Sequence, residues 1–335
     1  MSITSDTPSL VHRHPRRARR ARLAAAATIV AAAAATAGSA ALAGPAIAAT
    51  QSPADASAQF AFQSVSDSAD KTFNQLLGIN NADTIAGYFG SGEKGHPNKG
   101  YTLHVTFKNE NFMGAAQTQV IGINNEDATV GFWATSGGAN HGFYSASNGS
   151  LHTADDPAAS AAKTVTDQLL GVNDHQIAVG FYADAKGTNH GYTYNIATHS
   201  YGQVTVAGDS NVTASGINNN GDIAGFATNG AGATEGFLVL PNGHVVHLNV
   251  PGATMTQAFG VNDGDEVVGT YTVGTGNNAK SYGFIWSPGF GFETINDPNG
   301  VGATTLNGIN DRGQLVGFYT DQGGNTIGLV ARPQQ

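Results

Sequence analysis

The side chains of this chain that could do chemistry are few and widely spread. His141 and His190 stand in matching settings, Asn140-His141-Gly142-Phe143 and Asn189-His190-Gly191-Tyr192. An imidazole can donate or accept a hydrogen bond and can carry a proton near neutral pH. The two histidines, with Asn140 and Asn189 beside them and His96 in a related loop, therefore form the candidate ligand-binding set. The plainer reading of each histidine is a side chain hydrogen-bonded within its own repeat. Asp263, Asp265 and Glu266, in Asn-Asp-Gly-Asp-Glu, look like a fragment of a calcium loop, because hard cations take clustered carboxylate oxygens. The remaining ligands of a full loop are missing, and acidic turns are ordinarily solvated. His244 and His247 lie three apart in an expected strand, on opposite faces, which disfavours a shared zinc. Trp133 and Trp286 suit either a sugar platform or packing beside core glycines. Beyond the leader there is no nucleophile elbow, HExxH, P-loop or dinucleotide fingerprint. Scattered carboxylates could still meet as an acid and base pair. The reading therefore names no catalytic residue and no cofactor.

The elements that must position these side chains come from a repeat. Asn307-Gly-Ile-Asn-Asp-Arg-Gly-Gln-Leu-Val-Gly-Phe-Tyr319 has five upstream counterparts, with copies starting at Gly78, Gly122, Gly171, Gly216, Gly260 and Gly308 and a second glycine nine residues on. The starts are 44, 49, 45, 44 and 48 residues apart, a period that suits propeller blades of four short strands. In each unit the strand ending in Gly-Ile/Val-Asn meets a polar turn such as Asn219-Asn220-Gly221, where Asn and Gly supply the φ values a hairpin needs. The second strand carries the second glycine, followed in five copies by Tyr88, Phe132, Phe181, Phe226 or Phe318. A third strand opens with Gly and an aromatic, as in Gly236-Phe237, and the fourth is irregular. Glycine inside a strand weakens it unless something must approach closely, so these rings are expected to pack against the glycines. Asn80, Asn124, Asn173, Asn218, Asn262 and Asn310 recur in every copy, as turn caps or as a polar ring near a channel.

The last repeat stops after its third strand, while Phe60 to Asp67 (FAFQSVSD) matches Gly291 to Asp297 (GFETIND), the fourth strand before that repeat. The expected fold is therefore all-β, a six-bladed β-propeller of four-stranded antiparallel blades closed by an N-terminal strand. Residues 1–48 read as a secretory signal, 49–59 as a linker and 60–335 as the propeller domain. The signal rests on Arg13 to Arg22, an Ala-rich run over Leu23 to Ala43 and a small-x-small site at Ala46-Ile47-Ala48. An uncleaved anchor or a twin-arginine signal are the alternatives. Without the leader nine basic residues face 23 acidic ones, a net charge of −14, which disfavours nucleic acid and anionic lipid surfaces. There is no cysteine, so no disulfide can staple the fold.

The pattern Gly-Ile-Asn-x-x-Gly-x-(Ile/Val)-Val-Gly, followed by Gly-x-x-His-(Ala/Gly)-Phe, resembles the HAF family of probable extracellular repeats over Phe60 to Pro333. The HAF-like cores are Asn140 to Phe143, Asn189 to Tyr192 and Tyr282 to Trp286, with the histidine replaced by Lys99, Glu235, Tyr282 and Ile327 in the other copies. The resemblance implies an extracellular β-repeat protein and brings no reaction with it. The expectation is a secreted, monomeric binding or scaffold module for an extracellular ligand, glycan or protein, with no membrane insertion after signal removal. A propeller hydrolase or lyase acting on extracellular polysaccharide and a structural envelope or matrix protein are the alternatives. Loops between second and third strands should share a face with the loops entering each blade, and loops of variable length on a rigid frame commonly carry recognition. That face holds His96, Asn140, His141, Asn189 and His190.

Overall fold

In every repeat the strand that ends in Gly-Ile/Val-Asn forms one edge of its sheet and touches its counterparts in the two neighbouring repeats, so six such edges line a central axis. The computed structural model describes residues 53–146, 148–161 and 164–334. The expected signal over 1–48 lies outside the described residues. Two strands precede the first repeat, β1 (Ala54–Asp55) and β2 (Phe60–Val65). Blade 1 is β3 (Asn74–Ile79), β4 (Ile85–Phe89), β5 (Lys99–Leu103) and β6 (Phe107–Asn109). Blade 2 is β7 (Gln117–Ile123), β8 (Thr129–Ala134), β9 (Asn140–Ser145) and β10 (Leu151–Thr153). Blade 3 is β11 (Asp167–Val172), β12 (Ile177–Ala183), β13 (Asn189–Asn195) and β14 (Ser200–Val204). Blade 4 is β15 (Ser210–Ile217), β16 (Ile223–Thr228), β17 (Thr234–Val239) and β18 (Val245–Leu248). Blade 5 is β19 (Met255–Val261), β20 (Val267–Val273), β21 (Lys280–Ser287) and β22 (Gly291–Ile295). Blade 6 takes β23 (Thr304–Ile309), β24 (Leu315–Thr320) and β25 (Thr326–Pro333) from the C-terminal repeat. Each blade is an antiparallel meander, and together the six form a β-propeller. β2 pairs antiparallel with β25 from Phe60↔Pro333 to Val65↔Gly328 as the outermost strand of blade 6.

The described part of the expected linker, residues 53–59, packs on the propeller. β1 pairs in parallel with the outer strand β22, Ala56 is buried in the core shared by blades 5 and 6, and the Asn296 N–H donates to Ser57 Oγ at 2.8 Å. A polar, Ala-rich stretch gave no periodicity from which to read this. Two residues are too few to show one.

The glycines set how closely strands approach. A Cβ on Gly78 would sit 2.7 Å from the Ile121 carbonyl oxygen of the next inner strand, and one on Gly308 would sit 2.8 Å from that of Leu77, so adjoining blades meet backbone to backbone. The second glycine faces inward within its own blade. A Cβ on Gly317 would lie 1.9 Å from Thr305 O, next to the bulge between Leu306 and Gly308 in β23. The ring over Gly225 is Phe237 of its own third strand. Rings that directly follow the second glycine, among them Tyr88, Phe132, Phe181 and Phe318, gather instead with Leu77, Ile121 and Leu170 in one core that spans four blades.

The repeated asparagines do more than cap their hairpins. Asn173 Oδ1 accepts from the N–H groups of His175 and Ile177, which holds the turn, while its Nδ2 donates to Asn218 O of the next blade at 3.0 Å. The same interblade bond runs from Asn80 to Asn124 O, Asn124 to Asn173 O, Asn218 to Asn262 O, Asn262 to Asn310 O and Asn310 back to Asn80 O, at 3.0–3.2 Å. The following residue forms a second circuit, in which each backbone N–H donates to the side-chain oxygen of its counterpart on the next blade, from Asn81 N to Asn125 Oδ1 around to Asp311 N and Asn81 Oδ1. Both rings frame a cavity of about 80 Å3 at the axis.

Candidate functional site

The asparagine turns occupy one face, and the loops between second and third strands occupy the other. Loop ends there bond to the segment entering the next blade: Asn140 N donates to Val165 O, Thr118 N to Asn98 O and Thr326 N to Thr72 O. The loops that carry the candidate histidines therefore sit at seams between blades.

Each of these histidines faces a carboxylate. His141 Nδ1 lies 2.6 Å from Asp155 Oδ2, His190 Nε2 lies 3.1 Å from Asp184 Oδ2, and His96 Nδ1 lies 3.1 Å from Asp70 Oδ2. In blade 4, where Glu235 replaces the histidine of the motif, His247 from the fourth strand supplies the imidazole, 3.9 Å from Glu235 Oε2. His190 bonding and the Thr188 N–H hold the Asp184 carboxyl down at about 2. Asp70 is also lowered: burial raises it, and hydrogen bonds from Thr72 and His96 outweigh that. The histidines of blades 2 and 3 also stack on aromatic rings. His141 lies 4.5 Å from Trp133, whose other neighbour is Phe112 at 4.7 Å, and His190 lies 5.1 Å from Tyr182. Trp133 is thus stacked against both rings.

The structure brings His141 and His190 to neighbouring seams without direct contact between them. Asp155 links the two blades: its side chain pairs with His141, and its carbonyl accepts from Tyr201 Oη of blade 3 at 2.7 Å. Tyr182, beside His190, is raised by burial and by the charges of Asp156, Asp184 and Asp167. Asn189 N donates to Asn211 Oδ1 of blade 4, and Asn140 Nδ2 donates weakly to Gly138 O at 3.3 Å. Asp155, Asp156 and Asp184, two histidines and Tyr182 therefore share one region of this face. Blades 5 and 6 have Tyr282 and Ile327 where the histidines would be.

Beneath this region lies a residue that the sequence did not single out. Asp167 is fully buried, accepts from Tyr192 Oη at 2.5 Å and from Asp156 N at 2.7 Å, and its carboxyl is pushed up to about 8, by burial first and then by Asp155 and Asp156. Its counterparts do the same mechanical task. Asn74, Thr118, Thr256 and Thr304 each accept a backbone N–H from the loop entering their blade. Only Asp167 does it with an ionisable group, directly behind the face carrying Asp155 and His141.

The candidate metal residues lie on the opposite face and point apart. Asp263 accepts from the backbone and side chain of Asn219, Glu266 Oε2 accepts from Asn262 Nδ2 at 2.8 Å, and Asp265 is raised by burial and by its bond to Asp222. Among the described residues no group of three or more His, Asp or Glu could hold a metal ion. Asp263 and Asp265 tie blade 5 to blade 4, and Glu266 braces its own hairpin.

Among solved structures, the chain is similar to AofleA from Arthrobotrys oligospora (TM-score 0.52, 12% identity, 83% of this chain and 90% of that one). It is also similar to TolB from Acinetobacter baumannii (TM-score 0.51, 15% identity), over 68% of this chain and only 55% of TolB. At these identities the likeness shows the fold alone. No family model matches the sequence. No curated protein matches it either.

Proposed function

We propose that this is a secreted repeat protein of the HAF type that acts as an extracellular binding module, with its ligand on the face of the second-to-third-strand loops, over blades 2 and 3. The observation that carries this reading is the asymmetric group His141, Asp155, Tyr182, Asp184 and His190 on one face of an otherwise pseudo-symmetric frame. Imidazoles and the amides of Asn140 and Asn189 donate, carboxylates accept, and side chains already held by partners lose little freedom on binding. That mixture of donors and acceptors suits the hydroxyls of a glycan. A pull-down on cell-wall polysaccharide preparations tests it. The His141→Ala, His190→Ala double variant should remain folded and bind at least tenfold more weakly, and undiminished binding would sink this choice of site.

A second reading, hydrolysis or elimination on the same polysaccharide, draws on the 2.6 Å His141–Asp155 pair. With Nδ1 held by the carboxylate, Nε2 is left to take a proton from a substrate. Product analysis after the pull-down separates the readings: shortened or unsaturated sugars that vanish in His141→Ala would favour catalysis, and intact glycan would favour binding.

A further inference from the structure

Four consecutive blades carry an imidazole beside a carboxylate, and each pair is drawn from different positions in the repeat. In blade 1 His96, in the loop between second and third strands, meets Asp70 of the segment entering the blade. In blade 2 His141 stands near the start of the third strand and Asp155 follows the fourth. In blade 3 His190 keeps that third-strand position, but Asp184 comes from the loop before it. Blade 4 reverses the roles: Glu235 takes the third-strand position and His247 stands in the fourth strand. Blades 5 and 6 contain no histidine. The fastening is nevertheless the same in all four. One carboxylate oxygen is tied to the chain, Asp70 Oδ1 by Thr72 N, Asp155 Oδ1 by Gly142 N, Asp184 Oδ1 by Thr188 N and Glu235 Oε1 by Asn229 Nδ2, and the other oxygen faces the imidazole. The four imidazole side chains are between 19% and 59% exposed. Among the described residues, the ring nitrogen turned away from the carboxylate takes no hydrogen bond within the protein.

A residue that the frame needs recurs at one position, as the six turn asparagines do. Here the chemistry recurs and the position does not, so the frame is not what requires it. A carboxylate that holds one ring N–H leaves a lone pair on the other nitrogen, open to a hydroxyl that donates. The same open acceptor on four neighbouring blades, missing from blades 5 and 6, suits a ligand that has two ends and repeats one donor along its length. Resting on the reading of this face as a glycan site, we propose that blades 1 to 4 form one arc that binds a single linear glycan, with His96 and His247 as the outer contacts and His141 and His190 between them. Contacts linked along one chain act at a high effective concentration, so affinity grows with chain length until the arc is spanned.

The test is calorimetric titration with linear β-glucan, xylan, mannan and chito-oligosaccharide, each as a trisaccharide and as a long soluble chain. The expected result is that one of them binds with one long chain per protein, about tenfold or more tighter than its trisaccharide. His96→Ala and His247→Ala should each weaken the long chain about threefold or more and leave the trisaccharide unchanged. Both side chains are at least half exposed, so these variants keep the fold. A trisaccharide that depends on His141 and His190 while the long chain binds no tighter would overturn the arc and leave the site on blades 2 and 3 standing. Several trisaccharides bound per protein with no gain for the long chain, or outer variants that bind the long chain like the parent, would do the same. Absence of binding by all four glycans would overturn the arc together with the glycan reading on which it rests.

Discussion

Asn173 shows how much one side chain can hold in a ring of this kind. Its amide satisfies two turn N–H groups and one carbonyl of the next blade, all at a site only 4% exposed. Asn173→Ala leaves three buried groups unpaired and is expected to cost about 3 kcal/mol or more; Asn173→Asp keeps the turn-holding oxygen but sets a carboxylate against the Asn218 carbonyl at a buried site, so it should cost at least as much. Chemical denaturation of the two variants checks the order. Gly317→Val puts a branched side chain where even a Cβ meets Thr305 O at 1.9 Å, and a loss of about 3 kcal/mol or more is expected. An unchanged melting temperature would contradict that. Asp167 makes a pH-dependent prediction. The unfolded carboxyl ionises near its ordinary value of 3.8, while the folded one keeps its proton to about 8. The folded state therefore binds the extra proton between those limits, and stability falls as pH rises through that window and levels above it. Asp167→Asn should gain on the parent steadily from about pH 5 to about pH 8 in urea unfolding, and a gap independent of pH would refute the assignment. The glycines and asparagines were legible because one residue type recurs in six copies. Asn74, Thr118, Asp167, Thr256 and Thr304 were not, since three residue types meet the same need for a short acceptor.

Strand order could be read from the repeat, because alternating turns and glycines marked each hairpin. The partner of each ring could not. Sequence spacing put Phe226 beside Gly225, yet Phe237 from the neighbouring strand covers that glycine, since cross-strand pairing places Gly225 opposite Phe237. The histidine partners were equally hidden: Asp184 lies six residues from His190, but Asp155 lies fourteen from His141, at the far end of the β9–β10 hairpin. The N-terminal elements give a further prediction. Removing β2 strips six paired residues from blade 6 and bares β25, so deletion of 60–65 is expected to abolish cooperative unfolding. Deletion of 54–59 loses the two-residue β1, buried Ala56 and the Ser57–Asn296 bond, and should lower the melting temperature by only a few degrees. Thermal scans of both truncations check this, and equal losses would show that β2 is no more than a second strap.

Across the whole molecule, the two hydrogen-bond circuits run in one sense around the axis, and every blade both gives to one neighbour and receives from the other. The frame on that face is tied around its whole circumference, while the opposite face carries the loops in which blades 2 and 3 differ from blades 5 and 6. Blade 6 is also the one sheet assembled from both ends of the chain. During synthesis Phe60–Val65 leaves the ribosome before any blade exists, and Thr326–Pro333 follows all the other described strands. For that entire interval the strand with Phe60 and Phe62 on one side has no mate, and its open edge is available to any other extended segment. The nascent chain is therefore most exposed to mispairing at β2, which waits longest for its partner.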